Sequence, residues 1–162
     1  MTHPRVDRLI STLGLERHPE GGYFREIYRS AARIDPGDGR GSRAAITTIY
    51  YLLAAGQCSR WHDVLSDEVW HLYEGGPLDL FVAPPDVSTV ERRRLDSVSS
   101  GTGPVTVVPS RWWQAARPVG PYALAGCTVA PGFDYTDFKF LRDVPSAMEA
   151  LAKQPDDLVA LA

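Results

Sequence analysis

His62 and Glu68, which stand six positions apart, are the residues of this chain best suited to chemistry. The segment around them, residues 56–76, predicts a strand, a tight turn and a second strand, with glycines at both ends. On one face of paired antiparallel strands, neighbouring Cβ atoms lie about 5 Å apart. An imidazole and a carboxylate at that separation can bind a divalent metal or relay a proton. The sequence therefore predicts a metal site or an acid–base site at this pair.

Strand alternation assigns the neighbours of this pair to the two faces of the sheet. Trp70 lies two residues after Glu68, so its side chain is predicted to share the interior face, whereas His71 is predicted to point outward. On a later predicted strand, Trp112 and Gln114 alternate in the same way. An amide can orient a polar ligand and an indole can form an apolar wall. Trp70, Trp112 and Gln114 are therefore predicted to bind the substrate.

Further candidate substrate-binding residues lie outside this segment. Glu20 and Tyr23 flank Gly21-Gly22, whose backbone freedom predicts a tight loop that closes over one end of the fold. Arg25 and Arg60 could each hold a carboxylate or a phosphate through two parallel hydrogen bonds. We therefore add these four side chains to the predicted site.

The elements that would position these residues are mostly short strands. Between residues 45 and 140, runs of β-branched and aromatic residues alternate with Gly/Pro turns, at a spacing of about 8–12 residues. This spacing is typical of an all-β sandwich or barrel. We expect one domain over residues 1–162, with the barrel spanning about residues 22–142.

Short helices are predicted at both ends of the chain. Apolar residues three and four positions apart predict a helix over residues 4–13, with Pro4 at its start and Gly14 just after its end. A second helix is predicted over about residues 145–153. The barrel is therefore expected to have a helix at each end.

The composition is that of a soluble globular protein. Of the 162 residues, 44% are apolar and 23% are charged, and the formal net charge is −3. This charge favours no nucleic-acid partner, and no apolar run approaches the ~20 residues that span a bilayer. The two cysteines, Cys58 and Cys127, form no C-x-x-C pair. We expect a cytoplasmic protein with no membrane partner.

The segment around the His–Glu pair resembles the first motif of the cupin superfamily, in which glycines frame two histidines and a glutamate. Gly56, His62, Glu68 and Gly75 fit that frame. Val64 stands where the second histidine would be, and valine cannot bind a metal. The resemblance therefore implies a site that lacks one of its usual ligands.

The second cupin motif corresponds to residues 109–114, and Gln114 stands where this motif supplies a further histidine. Two of the four usual ligands are therefore missing. We expect no cofactor. A divalent metal, if one is bound, would be held by His62, Glu68 and Gln114.

The chain as a whole resembles one branch of that superfamily, the DUF985 or cupin-5 family. Four phrases carry the resemblance and lie within about residues 5–142: His18-Pro19-Glu20-Gly21-Gly22-Tyr23-Phe24, Ser66-Asp67-Glu68-Val69-Trp70-His71, Gly75-Gly76-Pro77-Leu78, and Cys127-Thr128-Val129-Ala130-Pro131-Gly132-Phe133-Asp134-Tyr135. The resemblance implies a double-stranded β-helix (jelly-roll) barrel and a homodimer, but no particular reaction. Apolar residues too numerous for the interior of one small barrel, such as Tyr50, Phe81 and Trp113, also indicate a dimer.

We expect an enzyme that carries out proton-transfer chemistry on a small polar metabolite inside the barrel, by isomerisation, epimerisation or dehydration. His62 would act as the base, Glu68 would orient it or stabilise its charge, and Arg60 and Gln114 would hold the substrate. Two alternatives remain open. One is a metal-dependent oxygenase of cupin type, and the other is a protein that binds a metabolite without catalysis.

Overall fold

The computed structural model describes residues 3–98 and 101–162. Its strands are β1 (Glu16–Arg17), β2 (Tyr23–Arg29), β3 (Arg33–Ile34), β4 (Arg43–Ala44), β5 (Thr47–Ala54), β6 (Ser59–Val64), β7 (Asp67–Gly75), β8 (Leu78–Ala83), β9 (Glu91–Leu95), β10 (Val105–Val108), β11 (Trp113–Pro118), β12 (Tyr122–Ala130) and β13 (Phe138–Phe140). The α-helices are α1 (Pro4–Leu13), α2 (Pro145–Leu151) and α3 (Asp156–Val159), and two short 3₁₀ turns cover Tyr135–Asp137 and Leu141–Asp143.

The strands form two facing antiparallel sheets. One sheet has six strands in the order β1-β2-β5-β12-β7-β10, and the other has five in the order β13-β6-β11-β8-β9. A small hairpin, β3–β4, stands apart from both. The predicted all-β fold, a double-stranded β-helix barrel with short terminal helices, is confirmed.

The segment that carries the His–Glu pair forms two strands, but they do not pair with each other. β6, which carries His62, pairs with β11 and β13. β7, which carries Glu68, pairs with β10 and β12 in the other sheet. The predicted hairpin pairing is therefore wrong, because a turn this short can also carry the chain from one packed sheet to the next. The two side chains reach the interior from opposite walls of the barrel.

The C-terminal helices cover the outer face of the five-stranded sheet. Trp61, Phe81 and Trp113 pack there against Leu151 of α2 and Leu158 of α3. Phe81 and Trp113 are only 4% and 2% exposed. The chain itself therefore covers these two side chains, so they do not indicate a dimer as the sequence suggested.

Helix α1 covers part of the outer face of the six-stranded sheet. Pro4 occupies its first turn, and Gly14 ends it in the left-handed conformation with φ 62°. Val6 and Leu9 on its inner side pack against Leu52 of β5. The predicted bounds of this helix are confirmed.

The barrel interior is apolar at one end and polar at the other. The apolar end is a cluster contributed by both sheets, which includes Leu53, Leu78, Leu80, Val82, Leu95 and Ala125. The polar end contains the buried side chains of Glu20, His62, Glu68 and Gln114. Buried ionisable groups are costly unless they are paired or change protonation state. The polar end is therefore where a functional site is expected.

Candidate functional site

A cavity of about 230 Å³ lies between the two sheets. Glu26, Arg29 and Tyr135 are exposed and stand at its opening, whereas His62 and Glu68 are buried in its walls. Sites for drug-sized ligands typically occupy roughly 300–1,000 Å³. Any occupant of this cavity is therefore a small molecule.

The hydrogen bonds of His62 define which ring nitrogen carries its proton. Nδ1 lies 2.7 Å from the backbone carbonyl of Arg60, and a carbonyl can only accept, so Nδ1 is the donor. The ring also stacks on Phe138, with centroids 5.3 Å apart. Burial lowers the pKa of His62, although the carboxyl of Glu68 acts in the opposite direction. In the neutral ring, Nε2 therefore carries a lone pair that can accept a proton.

Glu20 reaches this ring from the loop that precedes β2. Its Oε1 lies 3.4 Å from Nε2 of His62, and its Oε2 accepts a hydrogen bond of 2.8 Å from the hydroxyl of Ser59. Glu20 is only 6% exposed, and burial raises the pKa of its carboxyl. This carboxyl is therefore biased towards the protonated form, which can donate to Nε2.

Two glycines allow the Glu20 loop to enter the barrel. Gly21 has φ 118° and Gly22 has φ 72°, and both values are unfavourable for residues with a side chain. A Cβ at Gly21 would overlap the carbonyl oxygen of Cys58, and one at Gly22 would lie 2.6 Å from the carbonyl oxygen of Leu52. The loop therefore packs directly against the backbone of the barrel, inside its end.

Glu68 is oriented by a chain of two hydrogen bonds. The indole Nε1 of Trp70 donates to Oε1 of Gln114 at 2.9 Å, and Nε2 of Gln114 donates to Oε2 of Glu68 at 2.5 Å. Because an indole N–H can only donate, it determines which way the amide faces. Burial, reinforced by the nearby Glu20, raises the pKa of Glu68. Glu68 is therefore held in place and biased towards its protonated form.

The donor set that the sequence suggested for a metal does not fit this geometry. The amide oxygen of Gln114 accepts from Trp70, and its nitrogen donates to Glu68, so the amide has no atom directed at the cavity. Val64 lines the cavity at the position where cupins have a second histidine. Within residues 3–98 and 101–162, no three His, Cys, Asp or Glu side chains are grouped so as to hold a metal ion.

The structure brings together Glu20, His62, Glu68 and Trp70 in the cavity wall, with Gln114 directly behind Glu68. The other predicted substrate-binding residues do not line the cavity. Arg25 is exposed and donates to the carbonyl of Leu13, and Arg60 is exposed and donates to the carbonyl of Ala162. Tyr23 packs towards α1, and Trp112 packs against the apolar core.

Several residues that line the cavity were not predicted. His18 accepts a 3.2 Å hydrogen bond on Nδ1 from the backbone N–H of Glu20, and burial lowers its pKa. Tyr51 donates to the carbonyl of Gly21 at 2.8 Å. Burial and the neighbouring glutamates raise the pKa of Cys127, so it remains a thiol and is a poor nucleophile. Strand alternation in β5 and β12 would have identified Tyr51 and Cys127, and His18 shares its motif with Glu20.

Solved structures similar to this chain extend over nearly its whole length. A hypothetical protein from Leishmania major is 31% identical with a TM-score of 0.85, and the match covers 96% of this chain and 97% of that one. A protein from Shewanella oneidensis is 29% identical with a TM-score of 0.82, covering 99% and 97%. The R92A mutant of oxalate decarboxylase from Bacillus subtilis shares only the fold, at 15% identity and a TM-score of 0.55, and the match covers 89% of this chain and 33% of that one.

No curated protein sequence matches the chain. Within its described part, no helix has the length and apolar character needed to cross a membrane. The family model described as cupin superfamily (DUF985) matches residues 7–141. That match covers most of the sequence and agrees with the barrel and its buried polar end. The chain therefore belongs to the DUF985 family of the cupin superfamily.

Proposed function

We propose that this protein is an enzyme that moves a proton on a small polar metabolite held in the barrel cavity. The observation that carries the proposal is the contact between Nε2 of His62 and the carboxyl of Glu20, with Glu68 on the opposite wall. Ionisable groups whose pKa values are shifted by burial and which share a cavity are characteristic of acid–base sites.

The direction of each pKa shift suggests a role for that group. Neutral His62 offers a lone pair and acts as the base, and the protonated carboxyl of Glu20 or Glu68 acts as the acid. In the proposed step, Nε2 takes a proton from a carbon next to a carbonyl, and the bonding electrons move to the carbonyl oxygen. The acid then returns a proton to the opposite face, which gives an isomer or epimer. Alternatively it protonates a departing hydroxyl, which gives water and an unsaturated product.

The rest of the site supports this role by geometry and polarity. Trp70 and the apolar side chains of Ile49 and Val129 line the cavity and reduce its contact with water. Gln114 positions Glu68, so we propose it as a positioning residue and not as a substrate ligand. A metal-dependent oxygenase that uses Gln114 as a ligand is not supported, because its amide atoms are already bonded.

Exchange of substrate hydrogen with solvent deuterium tests the proposal. Natively purified protein would first be analysed by native mass spectrometry for a bound metabolite. That metabolite, or a panel of small hydroxy-carbonyl compounds, would then be incubated with the protein in heavy water and followed by proton NMR. We expect loss of the signal next to the carbonyl with the wild type and not with His62→Asn. Binding without exchange would instead indicate a protein that binds its ligand without catalysis.

We also propose that two copies of the chain associate through the outer face of the six-stranded sheet. Ile27, Tyr73 and Val105 are 43%, 53% and 50% exposed there, beyond the area that α1 covers. Val105 pairs with His71, so both point outward and extend the apolar strip to edge strand β10. Sedimentation at tens of micromolar, roughly the range for specific interfaces, should show a dimer. Tyr73→Glu should yield monomers, and monomeric wild type would refute the interface.

A further inference from the structure

The charged groups around the cavity are predominantly acidic. Glu20 and Glu68 are buried in its walls, and Glu26 and Asp134 stand near its opening. Against these four carboxyl groups the lining contains one guanidinium, that of Arg29, and no lysine. A negative charge placed in the cavity would therefore be repelled by any of these groups that is ionised.

The single guanidinium is not available to a ligand. Nε and Nη2 of Arg29 donate to the two carboxylate oxygens of Glu26 at 3.0 and 2.7 Å, and Nη1 donates to the carbonyl of Phe133 at 3.0 Å. The two side chains satisfy and neutralise each other, so the acidic surplus of the described lining comes from Glu20, Glu68 and Asp134. Compensation for an anionic substrate group is therefore missing among the described lining residues.

Aromatic side chains form much of the remaining lining. Phe24, Tyr51 and Trp70 follow one another along the walls, and Phe133 and Tyr135 stand at the opening. Tyr51 and Trp70 meet edge to face with centroids 5.7 Å apart, and Phe133 and Tyr135 do so at 5.0 Å. Aromatic rings combined with carboxylates attract organic cations, because the ring faces carry negative charge density.

We infer that the ligand of this cavity is cationic, and that its charged group is a small alkylammonium. This inference names the substrate class for the proposed enzyme and rests on that proposal only in taking the cavity as the substrate site. A cation would find Glu20 and Glu68 within the walls and aromatic rings around it. It would stabilise the ionised form of one of these two buried carboxyls, while the other keeps the proton that the proposed acid requires. Phosphorylated or carboxylated metabolites would meet the opposite field.

Three probes of matched shape test the inference by isothermal titration calorimetry on the full-length protein. The probes are choline, its neutral analogue in which a tert-butyl group replaces the trimethylammonium group, and the carboxylate built on the same tert-butyl skeleton. We expect choline to bind about tenfold or more tighter than the neutral analogue, and the carboxylate to bind more weakly than both. Equal or tighter binding of the neutral or anionic probe would overturn the inference, and so would the absence of measurable choline binding.

Two variants locate the effect in the cavity. Glu68→Gln keeps the shape of the side chain and can still accept from Gln114, so it should weaken choline binding while leaving the neutral analogue nearly unchanged. Tyr135→Leu removes a ring at the opening, where the side chain is 56% exposed and little packing is lost, and should act in the same selective way. Equal losses for both probes would contradict a charge-specific site. Cation binding without deuterium exchange would refute the proposed enzyme but leave this inference standing. Deuterium exchange on a neutral substrate, with no preference for cations, would refute this inference but leave the proposed enzyme standing.

Discussion

Nε2 of His62 lies 3.4 Å from Oε1 of Glu20, although the two residues belong to separate parts of the sequence. His62 comes from β6 and Glu20 from the loop before β2. The contact joins a nitrogen lone pair to a carboxyl whose pKa is raised by burial. The proposed base and a candidate acid are thereby placed side by side, with the carboxyl of Glu68 facing them across the cavity.

Comparing two histidines tests the assignment of the base. His62 lines the cavity, whereas His71 points outward on β7 and stacks with Tyr73 at 6.4 Å between centroids. We expect His62→Asn to reduce turnover by about 10²–10⁴-fold, as is typical for loss of a general base, and His71→Asn to change it little. Both variants should retain the circular dichroism spectrum of the wild type. If His71→Asn reduced turnover and His62→Asn did not, His71 and not His62 would be the residue that faces the cavity.

Burial of Glu68 should make the protein less stable at high pH. Because its folded-state pKa is raised above the ordinary 4.5, its contribution to stability is complete below that pH and is lost as the pH rises through the folded-state value. Glu68→Gln does not titrate. We therefore expect this variant to melt at a higher temperature than the wild type at pH 8, with the difference disappearing near pH 4.

The contribution of His62 to stability has the opposite pH dependence and supplies the control. Burial lowers the pKa of His62, so its contribution is complete above the ordinary value of 6.5 and is lost as the pH falls through the folded-state value. His62→Asn should therefore gain stability relative to the wild type as the pH is lowered. Melting curves for both variants across the same buffers would show slopes of opposite sign. Parallel slopes would be inconsistent with both shifts.

Gln114 should be essential for order around Glu68. Gln114→Leu removes the acceptor for the indole of Trp70 and the donor to Glu68, in a site with 0% exposure. Leaving buried polar groups without partners costs about 1–3 kcal/mol each. We expect a corresponding loss of unfolding free energy in urea and a further rise in the pKa of Glu68, because the hydrogen bond from Gln114 lowers it. Gln114→Glu can still accept from the indole of Trp70, but its carboxylate cannot donate to Glu68. This variant therefore separates the loss of the bond to Glu68 from the loss of the bond to Trp70.

Metal content is expected to be low. The amide of Gln114 is committed to Trp70 and Glu68, and Val64 offers no donor atom, so a transition metal would lack two of the usual ligands. Elemental analysis of protein purified without a metal-affinity tag should give well under one equivalent per chain. One tightly held metal per chain would contradict this expectation, and His18 would then be the first residue to test as a ligand.

Two glycines of nearly identical conformation test the importance of the Glu20 loop. Gly22 has φ 72° and Gly37 has φ 75°, but a Cβ at Gly22 would lie 2.6 Å from the carbonyl oxygen of Leu52, whereas nothing lies within 4 Å at Gly37. Both alanine variants carry the backbone strain, about 1–3 kcal/mol. Gly22→Ala alone should also displace Glu20 and reduce ligand binding. Equal effects of the two variants would show that the loop does not position Glu20.

Most strands could be predicted, because the residue types within each strand and the turn residues on either side are close together in the sequence. The ends of strands β2, β8, β10 and β12 can be located from sequence, since Gly, Pro or polar turns bound each of them. The inward direction of His62 and the outward direction of His71 follow from alternation alone. The two-residue strands β1, β3 and β4 cannot be predicted in this way, because such short segments carry too little pattern.

The site could be predicted only in part because its members come from distant segments. Glu68 and Trp70 are two positions apart on one strand, so alternation places them together. Which sheet each strand joins depends on long-range pairing, so the turn after β6 could be mistaken for a hairpin. Arg60 lies two positions before His62, so alternation predicts the same face, but a bulge between Ser59 and His62 breaks the alternation. Arg60 is therefore exposed and donates to the carbonyl of Ala162.

The crossing of the chain between the sheets at residues 65–66 has a mechanical consequence. Paired strands hold their side chains at a distance set by backbone hydrogen bonds, but His62 and Glu68 lie on two different sheets, which the side-chain hydrogen bonds of Gln114 connect. Their separation is set by the thickness of the packed apolar layer, roughly 10 Å between sheets. Leu80 and Val82, at 0% exposure in that layer, therefore act as a spacer. Trimming either side chain would change the gap between base and acid without touching either group.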